Sequence, residues 1–280
     1  MYPVLFRIGG FTVTSFGVMM ALAFLVGGWI AAKELRRKGQ DPEHAWDLAG
    51  YAAVFGILGA KLYYLLLHWP ETAADPRAAI LSRSGLVWYG GFIVAALVIA
   101  WRLRRLRLPV WSFADAVAPA LAVGYAVGRL GCFLVGDDWG RPTDLPWGVA
   151  FPQGAPPSTA AYLRDFGVDV PADIPGSTVL AVHPTQLYEV GLSLLIFFVL
   201  WRLRHRFANA GMLFFVWLAL AGAERFIVEF FRAKDDRLLG PLSVAQLISL
   251  GLIAGGTLVA MRLARGERLG QPAPVAAAAG

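Results

Sequence analysis

Seven apolar stretches, each near the ~20 residues that a helix needs to cross a bilayer, run through this chain and leave few folds open to it. They occupy 14–32, 46–67, 88–103, 114–134, 185–203, 211–231 and 242–263. The sequence of 280 residues is 58% hydrophobic and only 16% charged, whereas a water-soluble domain carries roughly a quarter charged residues. The expected fold is therefore an all-α integral membrane protein with seven transmembrane helices. The first stretch does not have the usual form of a cleavable signal. Its cationic cluster, Lys33, Arg36, Arg37 and Lys38, follows the apolar run instead of preceding it.

Basic residues set the expected orientation. They cluster after the first stretch, after the third (Arg102, Arg104, Arg105, Arg107), after the fifth (Arg202, Arg204, Arg206) and after the seventh (Arg262, Arg265, Arg268). The alternate segments hold only Arg7, Arg77, Arg83, Arg141, Arg164, Arg232, Lys234 and Arg237. The positive-inside rule then places the N-terminus outside and the C-terminus in the cytoplasm, as an odd number of spans also requires. On this reading the net charge of +6 reflects topology, and no nucleic-acid partner is expected.

Residues 1–265 are expected to form one polytopic domain, with a disordered cytoplasmic tail over 266–280. The long segment 135–184, rich in Pro, Gly and Asp, is expected to fold as a small external cap between the fourth and fifth helices. Loops of this length in compact proteins are often functional. Segment 68–87 is expected to include an interfacial helix.

Ionisable residues inside apolar spans mark candidate chemistry, because a charge at bilayer depth persists only beside a partner, an anion or water. Lys61, Arg129 and Arg225 are the cations; Glu189, Glu224 and Glu229 are the anions. They either tie helices together or serve a ligand. Arg129 lies just before a glycine-rich turn, Gly136-Asp137-Asp138-Trp139-Gly140-Arg141. Arg225 and Glu229 share a helix face at i,i+4, and Arg232 extends that face. Guanidinium forks suit the phosphate of a lipid headgroup. His183-Pro184-Thr185-Gln186-Leu187-Tyr188-Glu189 opens the fifth helix, with Gln186 and Glu189 on one face. The single cysteine, Cys132, and four scattered histidines give no metal-ligand spacing, so no metal is expected.

Taken together, Gly128-Arg129-Leu130-Gly131, the turn to Arg141, His183 to Glu189, and Arg225-Phe226-Ile227-Val228-Glu229-Phe230-Phe231-Arg232 resemble the prolipoprotein diacylglyceryl transferases. The resemblance runs from the first helix to the seventh. It implies a multi-pass enzyme of the bacterial cytoplasmic (inner) membrane that uses no metal or soluble cofactor. Such an enzyme moves the diacylglyceryl group of phosphatidylglycerol to the lipobox cysteine thiol of prolipoproteins, whose signal peptides are its partners. It further implies that Arg129 and Arg225 bind and polarise the phosphate, that Glu229 holds Arg225 or shapes the headgroup site, and that Gly140 and Arg141 belong to a turn over the pocket. His183, Gln186 and Glu189 match a second block without individual roles.

The chain departs from the family in several places. Phe16 stands where a tyrosine is common, and Tyr89, before Gly90-Gly91, replaces a histidine proposed as the thiol base. Cys132 and Val135 replace asparagines, and Asp137 a glutamate. A tyrosine is a poor base near pH 7 but can donate a hydrogen bond to phosphate. The base is thus a carboxylate, the leaving phosphate, or absent with another acceptor in use. A lipid-headgroup transferase with a different acceptor and a phospholipid or anion transporter are the alternative readings.

Overall fold

The computed structural model describes residues 1–9, 11–82, 85–234, 237–239, 241–266 and 269. The tail expected to be disordered lies outside the described residues, apart from Gly266 and Leu269. Two strands open the chain, β1 (Val4–Ile8) and β2 (Phe11–Thr14), followed by α1 (Ser15–Arg37), α2 (Glu43–Leu67), α3 (Trp69–Ala74), α4 (Pro76–Leu81), α5 (Trp88–Arg105) and α6 (Val110–Val135). The remainder comprises β3 (Val149–Ala150), α7 (Ala160–Asp165), β4 (Ala181–Val182), α8 (Thr185–Leu203), α9 (Met212–Glu229), β5 (Arg237–Leu239), β6 (Leu242–Ser243) and α10 (Val244–Ala264).

All seven apolar stretches are helical. Five of the helices, α1, α2, α6, α8 and α10, are long and apolar enough to cross a membrane. The other two have 18 residues each and carry three ionisable residues apiece: Arg102, Arg104 and Arg105 in α5, and Glu224, Arg225 and Glu229 in α9. Eighteen residues span about 27 Å at 1.5 Å per residue, just short of the ~30 Å hydrocarbon core.

The chain is mostly helical but not all-α. Among the described residues there are three small antiparallel sheets, pairing β1 with β2, β3 with β4 and β5 with β6. The first is a hairpin whose strands of Val, Ile, Phe and Thr flank Gly9, at φ +56°. That is a β-turn signal lying outside the helical periodicity of the apolar stretch that follows.

Two compact units divide the chain, one of residues Gly28–Ala116 and one of Met1–Gly27 with Val117–Gly280. In the first, α2 and α5 pack at glycines. A Cβ on Gly59 would lie 2.5 Å from the carbonyl oxygen of Gly90, and one on Gly91 2.7 Å from that of Gly56. Gly90-Gly91 therefore serves close helix approach, the route by which helices associate where lipid removes any hydrophobic drive between them. At the end of α1, Lys38 Nζ pairs with Asp115 Oδ2 at 3.4 Å and Gln40 Nε2 donates to Ser112 Oγ at 3.0 Å. Segment 68–87 holds two six-residue helices, α3 and α4.

In the second unit, Ala118 and Ala122 of α6, Ile196 and Leu200 of α8 and Leu213 of α9 form a buried apolar cluster. The segment between α6 and α8 folds around its own small core of Trp139, Phe151, Ala160, Leu163, Val170 and Val182, joined by Ala233. Large apolar side chains line the outer faces of the helices in both units. Ile57, Leu62 and Leu66 on α2 and Leu195 and Phe198 on α8 are each more than half exposed. Such faces are unfavourable in water and suited to lipid.

Candidate active site

The site grows from the last three turns of α6. Tyr125, Arg129 and Cys132 recur at i, i+4 and i+7, so they share one face of the helix. Gly136 ends α6 in a left-handed conformation, φ +76°, with its N–H and that of Asp137 both reaching back to the carbonyl of Cys132. Arg129 is thereby held near the end of α6, with a side chain only 14% exposed.

Its guanidinium meets two carboxylates and a phenol. Nη1 donates to Asp138 Oδ2 at 2.7 Å, Nη2 to Glu189 Oε1 at 3.0 Å, and Nε to Tyr125 Oη at 3.0 Å. Nε also lies 2.8 Å from Glu189 Oε2. Because its N–H points at the phenol and Glu189 Oε2 has no hydrogen-bond partner, that contact is ionic and not a directed bond. Tyr125 in turn donates to Glu189 Oε1 at 2.8 Å. Glu189, in the second turn of α8, is fully buried.

α9 supplies the other side. Arg225 Nη2 lies 2.6 Å from Glu229 Oε2, the expected i,i+4 pair, and its Nη1 lies 3.8 Å from Glu189 Oε1 without making a hydrogen bond. Arg232 follows α9. Its Nη2 donates to Asp138 Oδ1 at 2.9 Å, and its Nε lies 3.7 Å from Glu229 Oε2. Ser243, which caps α10, donates to Glu229 Oε1 at 3.1 Å. Charges therefore alternate around a ring: Arg129, Glu189, Arg225, Glu229, Arg232, Asp138 and back to Arg129.

The glycine-rich turn is stitched to two other segments. Gly140 N–H donates to the carbonyl of His183, His183 N–H to that of Arg141, and Arg141 N–H to that of Phe231, at 2.8, 2.9 and 2.8 Å. Arg141 Nε donates to the Arg232 carbonyl at 3.1 Å. A Cβ on Gly140 would run into the Phe231 carbonyl oxygen, with His183 Cβ and Thr185 Cγ2 at 2.8 and 2.9 Å, so only glycine fits here. Thr185 Oγ1 donates to the Asp138 carbonyl at 2.7 Å, and Gln186 Nε2 to the Asp137 carbonyl. Trp147 Nε1 donates to Tyr188 Oη at 2.8 Å, and the same hydroxyl is hydrogen-bonded to His183 Nδ1 at 3.0 Å. Burial lowers the His183 pKa, which favours its neutral ring.

Of the residues singled out from sequence, Arg129, Arg225, Glu229, Glu189 and Arg232 meet directly in the ring. Gly140, Arg141, His183 and Gln186 build the turn beside it. Tyr89 belongs to the other unit, in the first turn of α5, and is 54% exposed there. Lys61 is also in that unit, where it donates to the carbonyl and hydroxyl of Ser82, each at 2.9 Å. Glu224 receives the Ser193 hydroxyl at 2.7 and 2.8 Å from its two oxygens. Sequence reasoning missed Tyr125, Asp138 and Ser243. Tyr125 had a signal, one turn before Arg129 on the same face. Asp138 lay inside the quoted turn, but nothing there marked it as a partner of two arginines, and Ser243 had no signal, since both enter from outside the helix that they serve.

Outside the spans, the site's electrostatics follow from its arginines. Burial alone would raise the Asp138 pKa, but Arg232 and Arg129 outweigh it and hold the carboxyl well below the usual carboxylate range. Asp137 faces the opposite balance and is pushed up to about 6, first by burial and then by the Asp138 carboxylate, against the opposing pull of Cys132 and Arg129. An unfolded aspartate loses its proton near pH 4. Between about pH 4 and 6 the native state thus keeps a proton that the unfolded chain has released, and stability falls as pH rises through that window. The Asp137→Asn variant is expected to lack this fall. Its thermal midpoint should match wild type at about pH 4 and exceed it at about pH 8; equal midpoints at both would contradict the role of burial.

The ligand atoms of Cys132, Asp137 and Asp138 lie within 4.8 Å of one another. Arg129 Nη1 already donates to two of the three, at 3.6 Å to Cys132 Sγ and 2.7 Å to Asp138. A guanidinium placed there repels a cation, so the trio fits a hydrogen-bonded cluster better than a metal centre.

The comparisons agree with one another. The family model for prolipoprotein diacylglyceryl transferase matches residues 3–262. The phosphatidylglycerol–prolipoprotein diacylglyceryl transferase of Vibrio vulnificus is 33% identical over 277 residues, covering 95% of this chain and 93% of that one. The enzyme of the same name from Bordetella avium is 31% identical over 273 residues, covering 94% and 95%. That from Trichormus variabilis is 33% identical over 260 residues, covering 89% and 84%.

Proposed function

The chain belongs to the prolipoprotein diacylglyceryl transferase family, and we propose that it transfers the diacylglyceryl group of phosphatidylglycerol to the lipobox cysteine thiol of prolipoproteins. The observation that carries this reading to a site is the ring of three arginines and three carboxylates, in which Arg225 Nη1 makes no hydrogen bond. That donor, beside Arg129 on the neighbouring helix, suits a phosphate oxygen.

In the reaction the acceptor sulfur bonds to the glyceryl carbon, the carbon–oxygen bond to phosphate breaks, and glycerol phosphate departs. The thiol loses a proton and the leaving phosphate gains one, so no net base is consumed. Arg129 and Arg225 stabilise the charge gathering on the phosphate. Glu229 orients Arg225, and Glu189 holds both arginines. Gly140, Arg141, His183 and Gln186 fix the turn that completes the headgroup site.

The same reading places the protein in the bacterial inner membrane with seven spans, an external N-terminus and the folded 136–184 segment outside. The four basic clusters favour this orientation. Counting α5 and α9 as spans is consistent with where their charges lie: the arginines of α5 sit in its last turns, and Arg225 and Glu229 pair within the ring.

The test is incubation of the purified protein with phosphatidylglycerol and a lipobox peptide, read by mass spectrometry. The expected result is a peptide heavier by one diacylglyceryl group through a thioether, with glycerol phosphate released. An unmodified peptide, with the protein folded and lipid present, would overturn the assignment of substrate and acceptor.

A further inference from the structure

The turn after α6 carries two adjacent carboxylates, and their environments differ. Asp137 stands where the family commonly has a glutamate, yet among the described residues it makes no ion pair, and its Oδ1 is buried without a hydrogen-bond partner. Asp138 joins two arginines from different parts of the chain, accepting from Arg129 Nη1 on Oδ2 at 2.7 Å and from Arg232 Nη2 on Oδ1 at 2.9 Å. Position in the motif alone would select the wrong aspartate.

Three further features show that this bridge is built in and not incidental. The Asp138 backbone is left-handed, φ +57°, a conformation uncommon among side-chain-bearing residues although aspartate enters it more readily than most, and here neighbouring contacts hold it. Those contacts are present: Thr185 Oγ1 holds the Asp138 carbonyl at 2.7 Å, and Gln186, itself fully buried, holds the carbonyl before it. The two arginines are 14% and 13% exposed, so neither can turn freely into solvent. A carboxylate on a backbone anchored in this way keeps a fixed place, and the two guanidinium planes are fixed by it. Arg129 has five N–H groups. With its bonds to Tyr125, Asp138, Cys132 and Glu189 made, a hydrogen on Nη2 remains for an anion.

We propose that Asp138 is a positioning residue for the transferase site, setting the mutual orientation of Arg129 and Arg232 and thereby making Arg232 a third arginine of the phosphate-binding set. The proposal rests on the headgroup reading given under the proposed function. Asp138 touches no substrate atom in this scheme. It acts through the two guanidinium groups, in the way that outer partners orient primary ligands in other sites.

The experiment compares wild type, Asp138→Asn, Asp138→Glu, Arg232→Lys and the double variant Asp138→Asn/Arg232→Lys, each normalised to the amount of folded, monodisperse protein. Transfer to a lipobox peptide gives kcat and KM, and titration with phosphatidylglycerol in nanodiscs gives lipid affinity. The proposal predicts that Asp138→Asn lowers kcat at least tenfold while lipid affinity falls only about threefold. Asp138→Glu should recover most of the loss, and the double variant should be no worse than the poorer single variant, because one unit has been broken twice. Wild-type kcat and affinity per folded molecule in Asp138→Asn would overturn it, as would losses that multiply in the double variant. If wild type itself transfers nothing, the transferase reading fails separately, and the lipid titration still decides. A threefold weakening in Asp138→Asn, with recovery in Asp138→Glu, supports positioning; unchanged or tighter binding overturns it.

Discussion

Arg129→Ala is expected to lower transfer per folded molecule by about a thousandfold or more. Removing one preorganised donor from a charge-stabilising site typically costs about 10²–10³ in rate, and this substitution removes a cation with donors on both terminal nitrogens. The loss extends to the support. Glu189, fully buried, would keep the Tyr125 phenol at 2.8 Å but have Arg225 only at 3.8 Å, so it would lose its close cation and draw Arg225 out of place. Arg129→Lys restores the charge but not the planar fork that reaches Asp138 and Glu189 at once, and it should remain roughly a hundredfold or more below wild type. The measurement is thioether formation against lipid concentration. Transfer by the alanine variant at more than a tenth of the wild-type rate would remove Arg129 from the chemistry.

The second large effect is expected at Glu189, and it should appear in stability as well as in activity. Glu189→Ala leaves Arg129 and Arg225 facing each other without the anion between them. Breaking a buried ion pair from one side costs about 3–5 kcal/mol, which for a chain of this size corresponds to roughly 10 °C in thermal midpoint. Glu189→Gln keeps an acceptor for the Tyr125 hydroxyl and one arginine N–H, so it should fall between wild type and alanine. Thermal unfolding of the three proteins in one detergent, with transfer measured alongside, checks the order. An alanine variant as stable as wild type would mean that the arginines have other compensation.

The sequence already showed the long helices and all of the ring except Asp138. Apolar length located the seven long helices, because a membrane-spanning segment must satisfy its own backbone and can do so within one continuous run of residues. Arg129, Arg225, Glu229 and Glu189 stood out because each is costly where it lies. The N-terminal hairpin was not found by that logic, being short and governed by alternation and Gly9 instead of by length. Asp138 and Ser243 were hidden for a different reason. Polar residues in a turn or at a helix cap are ordinary in sequence, and only the fold shows that these two serve a guanidinium and a carboxylate on other segments. Tyr89 was identified by a motif position alone; it lies in the α2–α5 unit, in which Gly90 and Gly91 are explained by helix packing.

The alternation of charge around the ring has one more consequence. Its three arginines are matched by three carboxylates at short range, so their fields largely cancel beyond a few ångströms. Such a site exerts little attraction on a distant anion, and dissolved salt, which screens over ~8–10 Å, has little to weaken. A lipid substrate arriving by lateral diffusion in the bilayer does not need to be steered through water. The arginines become strong binding groups only on contact, and soluble phosphates in the surrounding medium therefore compete poorly with a headgroup already confined to the membrane plane.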